Sequence, residues 1–261
     1  MSSQDIIQSA QNPKIQLVRS LMNQNKARQK QQAFVAEGVR LLEDGLDSSI
    51  PLKFLLRKLD PSPRAVELLE KLGENYDVLT VEDHLFDDLS GTEHSQGILG
   101  VFELQALNLP EKPDFLVILD QIRDPGNLGT ILRSAEAAGA QAVILPPGNT
   151  DAFAPKVVRA GMGAHFRLPI LQLPWEVVGH LVQGLPVFHA DMNGELTYWE
   201  ADFKQGLSLL IGGEAEGISS QGQQILTQSV RIPMKGKTES LNAAISASIL
   251  MIEVLRQRSQ A

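Results

Sequence analysis

Two α/β domains in tandem are predicted by three features of the sequence. Strand-like apolar runs alternate with amphipathic helical stretches over the first hundred residues, a polar stretch with two prolines interrupts them, and a second alternating series follows. Taken in order, residues 13–31 read as one N-terminal helix with Leu17, Val18, Leu21 and Met22 on one side. Phe34-Val35-Ala36-Glu37-Gly38 reads as a short strand, and Val39 to about Gly45 as a helix. Leu52 to Leu56 is a strand, Pro63 to Leu72 a helix with Pro61 and Pro63 at its start, and Asp77 to Val81 a strand. A helix around 83–89 and a strand at Ile98 to Phe102 complete the first series. Residues 103–113 (ELQALNLPEKP) break the pattern, which gives a first domain over 1–105, a linker at 106–113 and a second domain over 114–261. In the second domain, Phe115 to Leu119 is an uninterrupted apolar run, as expected of a central parallel strand. A turn at Asp124-Pro125-Gly126-Asn127 leads to a helix from Leu128 to Ala138, ended by Gly139. The remaining elements are a strand at Ala142 to Leu145, a helix at Phe153 to Ala160, strands at Val187 to Ala190 and Ser208 to Ile211, and a closing helix from Leu241 to Arg258.

Composition excludes several classes of function. The chain has no cysteine, which removes disulfides, thiol nucleophiles and thiolate metal sites. No stretch approaches the roughly 20 apolar residues that cross a bilayer, and MSSQDIIQSAQNPK lacks the pattern of a secretory signal. The expectation is a soluble cytoplasmic protein. The net charge of −8 is unevenly spread: residues 1–71 carry 11 basic and 8 acidic side chains, whereas residues 72–122 carry 1 and 11. A basic N-terminal arm on an acidic body is compatible with RNA contact, because binding needs a local patch and not a high pI. A solvated helix with a few lysines accounts for the same charges.

Three blocks in the second domain can carry chemistry. The first, Asn127-Leu128-Gly129-Thr130-Ile131-Leu132-Arg133-Ser134-Ala135, follows a buried strand, where open α/β sheets place ligands. Asn127 sits near the helix start and a cap accounts for it. Arg133 has apolar neighbours; its rigid fork suits phosphate or ribose recognition, and a structural ion pair with Glu136 is the alternative. The second block, Gly212-Gly213-Glu214-Ala215-Glu216-Gly217, follows a strand, and its glycines allow positive φ and close approach of backbone amides to a ligand. It is no dinucleotide fingerprint, because two carboxylates stand where a pyrophosphate would sit. Glu214 can tether the loop or act on a substrate. The third block, Ile232-Pro233-Met234-Lys235-Gly236, runs into Ser240-Leu241-Asn242 and then Ala243-Ala244-Ile245-Ser246-Ala247-Ser248. Ser240 is a candidate N-cap there, and the small residues admit another backbone closely. Ile249 to Leu255 is apolar enough for a core helix or an oligomer face. The histidines at 84, 94, 165, 180 and 189 form no close pair with metal-ligand spacing, so no metal is expected, and no Ser/His/Asp order stands out.

In this order and spacing the three blocks resemble the SpoU-like (TrmH-class) RNA ribose 2′-O-methyltransferases of the SPOUT superfamily. The N-terminal part is similar, more loosely, to the family's auxiliary RNA-binding domain through Phe34-Val35-Ala36-Glu37-Gly38 and Gly91-Thr92…Gln96-Gly97-Ile98. The resemblance implies a C-terminal SPOUT domain with a parallel sheet and a deep trefoil knot, preceded by a smaller α/β RNA-binding domain. It implies S-adenosyl-L-methionine held by the knotted loops, a homodimer built on the closing helix, and an RNA substrate, with large-subunit ribosomal RNA favoured by the extra domain over tRNA. Gly212, Ile232 and Leu241 take the positions that contact the cofactor through main-chain groups, with Ala190, Gly213, Met234 and Asn242 as neighbours. Arg133 takes the position of the catalytic arginine, with Asn127, Glu214, Ser240 and Asn242 around it. Ala243-Ala244 stands where many members have Val-Ser. The rival reading is an RNA-binding protein that kept the fold and lost the reaction; a nucleotide-dependent dehydrogenase fails on the missing fingerprint.

Overall fold

A computed structural model describes residues 6–92, 94–105, 107–213, 217–237 and 240–260. The chain forms two compact units, Met1–Gln105 with Phe153–Phe166, and Ala106–Ala152 with Arg167–Ala261. In the first, α1 (Pro13–Asn23) starts where the Asn12 side chain accepts the Lys14 amide, with proline in the first turn. The single helix expected over 13–31 is in fact two. The backbone turns extended at Gln24 (φ −133°, ψ 118°) and α2 (Asn25–Gln31) follows, stopped by Gln32 at φ 45°. Beyond Met22 the sequence offers no apolar stripe to carry the helix onward. The buried Arg28 instead folds back and donates to the Leu21 carbonyl, one of the acceptors a helix end leaves open.

β1 (Ala33–Glu37), α3 (Val39–Leu46), β2 (Leu52–Lys58), α4 (Pro63–Leu72), β3 (Val78–Val81), α5 (Asp83–Leu89) and β4 (Ile98–Glu103) follow. The sheet order is β1-β4-β2-β3, with β4 antiparallel to β1 and β2, and β3 parallel to β2. Ile15, Val18 and Leu21 of α1 pack with Phe86 of α5 against Val35, Phe54, Leu56 and Leu99. Strand alternation sends Phe34 and Phe102 the other way, where Phe153 and Phe166 meet them at ring-centroid distances of 4.9–5.7 Å.

The carboxylate of Glu37, at the end of β1, is buried. It accepts hydrogen bonds from Ser90 Oγ, the Gly91 amide (3.2 Å), Thr92 Oγ1 (3.0 Å) and Ser95 Oγ (3.0 Å), and Arg159 Nη1 lies 3.7 Å away. Gly38 turns the chain at φ 97°, and Gln96 Oε1 accepts the Val39 amide at 2.8 Å. The two N-terminal sequence motifs therefore form one hydrogen-bonded locus. Glu37→Ala removes the buried acceptor shared by four partly exposed donors and is expected to destabilise the fold by about 1–3 kcal/mol. Urea unfolding reads this directly, and an unchanged midpoint would show that the 90–95 loop holds without its acceptor.

The second unit begins with β5 (Phe115–Asp120), α6 (Pro125–Ala137) and β6 (Ala142–Leu145). The chain returns to the first unit for α7 (Pro155–Gly161), then adds β7 (Ile170–Gln172), α8 (Trp175–Leu181), β8 (Val187–Ala190), β9 (Leu196–Thr197), β10 (Leu207–Gly212), α9 (Ser220–Ile225), β11 (Gln228–Arg231) and α10 (Ala243–Arg258). Seven strands pair in the order β7-β6-β5-β10-β8-β11-β9, and every pair is parallel. The structure is thus the mixed α/β fold with a parallel C-terminal sheet that the sequence predicts. Val178 of α8 and Val182 at its C-cap pack on Leu116, Ile118, Ile144 and Leu210 over one face, together with Leu109 from the proline-containing stretch. α10 packs beside α6 and against β10. Gln257 of α10 donates to the Ala201 carbonyl (3.0 Å) and accepts the Phe203 amide (2.9 Å), fixing the far end of that helix.

Candidate active site

The site is built from loops at the carboxyl ends of parallel strands. Gly212 ends β10 opposite Asp120, the last residue of β5. The following loop folds back on itself: the Gly213 amide donates to the Gly217 carbonyl (3.0 Å) and the Gly217 amide to the Gly213 carbonyl (3.1 Å). A Cβ on Gly212 would stand 2.5 Å from the Gly217 carbonyl carbon, and one on Gly213 2.6 Å from the Gln121 carbonyl oxygen. Close backbone approach is what requires glycine at both. Asp120 is buried, and its Oδ2 accepts the Ser219 amide at 2.6 Å, anchoring the chain just past the loop. In the sequence, Asp120 is signalled only as a lone carboxylate closing a wholly apolar strand. Glu214, with Ala215 and Glu216, lies outside the described residues.

The third sequence block leads to α10, whose N-cap is Asn242 rather than Ser240. Its Oδ1 accepts the Ala244 amide (2.9 Å) and the Ile245 amide (3.3 Å). Asp124 likewise caps α6, accepting the Asn127 amide at 2.8 Å, so Asn127 is not the cap. The Asn127 side-chain Oδ1 instead accepts from Asn242 Nδ2 at 3.0 Å. Two turns farther in, Ser134 and Ser248 hydroxyls bond at 2.8 Å, and the buried Ala243, Ala244 and Ala247 let the chain approach closely. The starts of α6 and α10 are joined side by side. Asn242→Ala is expected to cost about 1 kcal/mol as a lost cap and to weaken ligand binding at the adjoining cavity several-fold. Asn242→Ser should restore the stability, read by thermal unfolding, without restoring the affinity, read by calorimetry.

A cavity of about 470 Å³ opens between these loops. Its walls are His189 and Ala190 from β8, Ile211, Gly212, Gly213 and Gly217 from the glycine loop, and Ser240 to Ala243 with Ser246 from the α10 start. A second cavity of about 270 Å³ shares His189, Ala190, Gly217, Ser240, Leu241 and Ser246, and adds Asp191, Met192, Ile232 and Met234. Ala190, Gly212, Gly213, Ile232, Met234, Leu241 and Asn242 thus come together on these walls, as does Ser240. Asp191 is the one Asp, Glu, Lys or Arg among the described lining residues. A wall of glycine backbone, small side chains and Leu, Ile and Met suits a flat, neutral or cationic ligand and offers no cradle for a pyrophosphate. Among the described residues, no group of three His, Asp or Glu is placed to hold a metal.

Arg133 lines neither cavity. It is exposed and makes no hydrogen bond or ion pair to any described residue. The pairing with Glu136 that its spacing allows does not form, because Glu136 accepts from Arg167 Nε at 2.7 Å. Six residues separate Arg133 from Asn127, which is a rise of about 9 Å along α6. The guanidinium is left available to a ligand beyond the α6–α10 junction.

A parallel α/β unit with a main-chain-lined cavity at its strand ends offers a ligand site where open α/β sheets place them. Residues 114–252 match the SpoU rRNA Methylase family, and residues 12–100 match the MRM3-like substrate binding domain. The chain belongs to the SpoU rRNA methylase family. It is 31% identical over 247 residues, 94% of this chain and 97% of the relative, to the 23S rRNA (guanosine(2553)-2′-O)-methyltransferase RlmP of Bacillus subtilis. Among solved structures it is similar to the AdoMet-bound rRNA methyltransferase from Sinorhizobium meliloti, with a TM-score of 0.84, 32% identity and 97% of each chain covered. The SpoU methyltransferase AviRb from Streptomyces viridochromogenes, in complex with AdoMet, gives a TM-score of 0.85 at 30% identity, covering 96% of this chain and 99% of that one.

Proposed function

We propose that this protein transfers the methyl group of S-adenosylmethionine to a ribose 2′-hydroxyl of RNA, with large-subunit ribosomal RNA as the substrate. The observation that carries this reading is the main-chain-lined cavity between the Gly212–Gly217 loop and the start of α10, in a chain of the SpoU family. Its cradle fits the cofactor: glycines where a Cβ would strike backbone, and no basic side chain among the described lining residues to repel a sulfonium. Gly212, Ile232 and Leu241 hold it by main-chain groups, with Ala190, Gly213, Met234 and Asn242 alongside. The cofactor, when bound, supplies an electrophilic methyl group. Arg133 acts on the other reactant. A guanidinium presents N–H donors and no acceptor for a proton, so it orients the hydroxyl and stabilises the charge that develops on that oxygen. Asn127, through its bond to Asn242, holds α6 and its arginine in register with the cavity wall; Ser240 and Glu214 complete the catalytic group.

Residues 1–105 act as the RNA-binding domain, 106–113 as the linker and 114–261 as the catalytic domain, whose strand-end loops after β10 and β11 support the trefoil passage. A homodimer through α10 is supported by Ile245, Ile252 and Leu255, which are 53%, 49% and 39% exposed. At spacings of seven and three residues they form one apolar stripe. Among the described residues no helix is long and apolar enough to cross a membrane, and the cytoplasm is the proposed setting. Calorimetry should show uptake of S-adenosylmethionine, and ribosomal RNA from cells lacking the protein should lose one 2′-O-methyl mark. No uptake by the wild-type chain, or an unaltered methylation map, would overturn the reading.

A further inference from the structure

Among the described residues, His189 is the one ionisable side chain that stands on the wall of both cavities. It occupies the central part of the sheet, on β8 between Leu210 of β10 and Ser229 of β11. Its Nδ1 lies 2.9 Å from the Leu210 carbonyl oxygen. A carbonyl only accepts, so Nδ1 carries the proton, and in the neutral ring Nε2 is left with a lone pair. No described residue bonds Nε2. The other polar groups of the wall are differently placed: the Asn242 amide is engaged with the α10 amides and with Asn127, and Ser240 and Ser246 carry rotatable hydroxyls. The neutral ring therefore presents an acceptor held by the sheet itself, in a cavity whose other described lining is largely backbone and apolar groups.

We infer that His189 Nε2 accepts a hydrogen bond from an N–H or O–H of the adenosyl group of the cofactor, and so selects for an intact nucleoside at this site. This rests on the cofactor reading above. Once a ligand covers the half-buried ring, an acceptor facing a group that cannot donate loses its hydrogen bond to water without replacement, which is the physical basis of the discrimination.

The test is calorimetric titration of the full chain with S-adenosylhomocysteine, which needs no turnover. His189→Asn keeps an amide that can reach Leu210 but places no acceptor at the ε position, and is expected to bind roughly tenfold more weakly. His189→Gln, whose carbonyl reaches the ε position, is expected to stay within about threefold of the wild type. Analogues lacking the 6-amino group, the 2′-hydroxyl or the 3′-hydroxyl identify the donor: for one of them the wild type and His189→Asn should bind alike. Equal affinity of wild type and His189→Asn for the intact ligand, or a penalty that persists unchanged across all three analogues, would overturn the inference. Absence of any uptake by the wild type would instead overturn the function from which it starts. Thermal unfolding of both variants separates a binding loss from a folding loss.

Discussion

Arg133→Ala is expected to lower the rate of methyl transfer by about 100- to 1000-fold, the range seen when a preorganised donor to a developing oxyanion is removed. S-adenosylmethionine affinity should stay within about twofold of the wild type, because Arg133 touches neither cavity. Stability should change little, because the side chain is exposed and no described residue pairs with it. Arg133→Lys keeps the charge but loses the planar fork, and should recover only part of the rate. Single-turnover assays with labelled cofactor and the ribosomal substrate separate the two quantities. Turnover retained by Arg133→Ala would remove the arginine from the mechanism. A loss of affinity equal to the loss of rate would place it in cofactor binding instead.

Features that depend on one segment were legible in the sequence; those that depend on two were not. β5 is apolar at every position to Leu119 because it is buried on both faces of a parallel sheet, and it reads as such without a partner. The glycine loop and the block before α10 could be recognised by residue type and order. The helix break at Gln24 could not, because it is stabilised by Arg28 reaching back to Leu21. Spacing placed Arg133 three residues from Glu136, yet Glu136 is taken by Arg167, whose proximity only the fold creates. The caps show the same limit. Asn127 and Ser240 have the right chemistry, but Asp124 and Asn242 have the right position, and Asn127 bonds Asn242 across 115 residues of sequence. β7, β9 and β11, of two to four residues each, and the short α8 and α9 went unread because such segments carry too little periodicity. His189 was seen only as a histidine without a metal partner. Its fixed tautomer is a property of the neighbouring strand.

Gly212 and Gly217 bound the same loop and should respond to substitution for different reasons. At Gly212 an added methyl would lie 2.5 and 2.6 Å from the Gly217 carbonyl carbon and oxygen and 2.9 Å from the Ile218 nitrogen. All three are backbone atoms, held by the paired Gly213–Gly217 hydrogen bonds and by the Asp120 carboxylate on Ser219, so none can move aside cheaply. Gly212→Ala must therefore open the loop, at a cost of about 1–3 kcal/mol as for other overpacked sites. Where cofactor binding needs the native loop, the same strain reappears as a loss of affinity of about 5- to 150-fold. Gly217 has nothing within 4 Å of an added Cβ, but its φ is 66°. Gly217→Ala costs only the left-handed backbone, about 1–2 kcal/mol, and leaves the cavity wall in place. Its affinity should therefore stay close to wild type. Chemical unfolding and calorimetry on the two variants give four numbers. Comparable destabilisation with an affinity loss confined to Gly212→Ala is the expected pattern. Wild-type affinity in Gly212→Ala would mean that the loop is no part of the cofactor clamp.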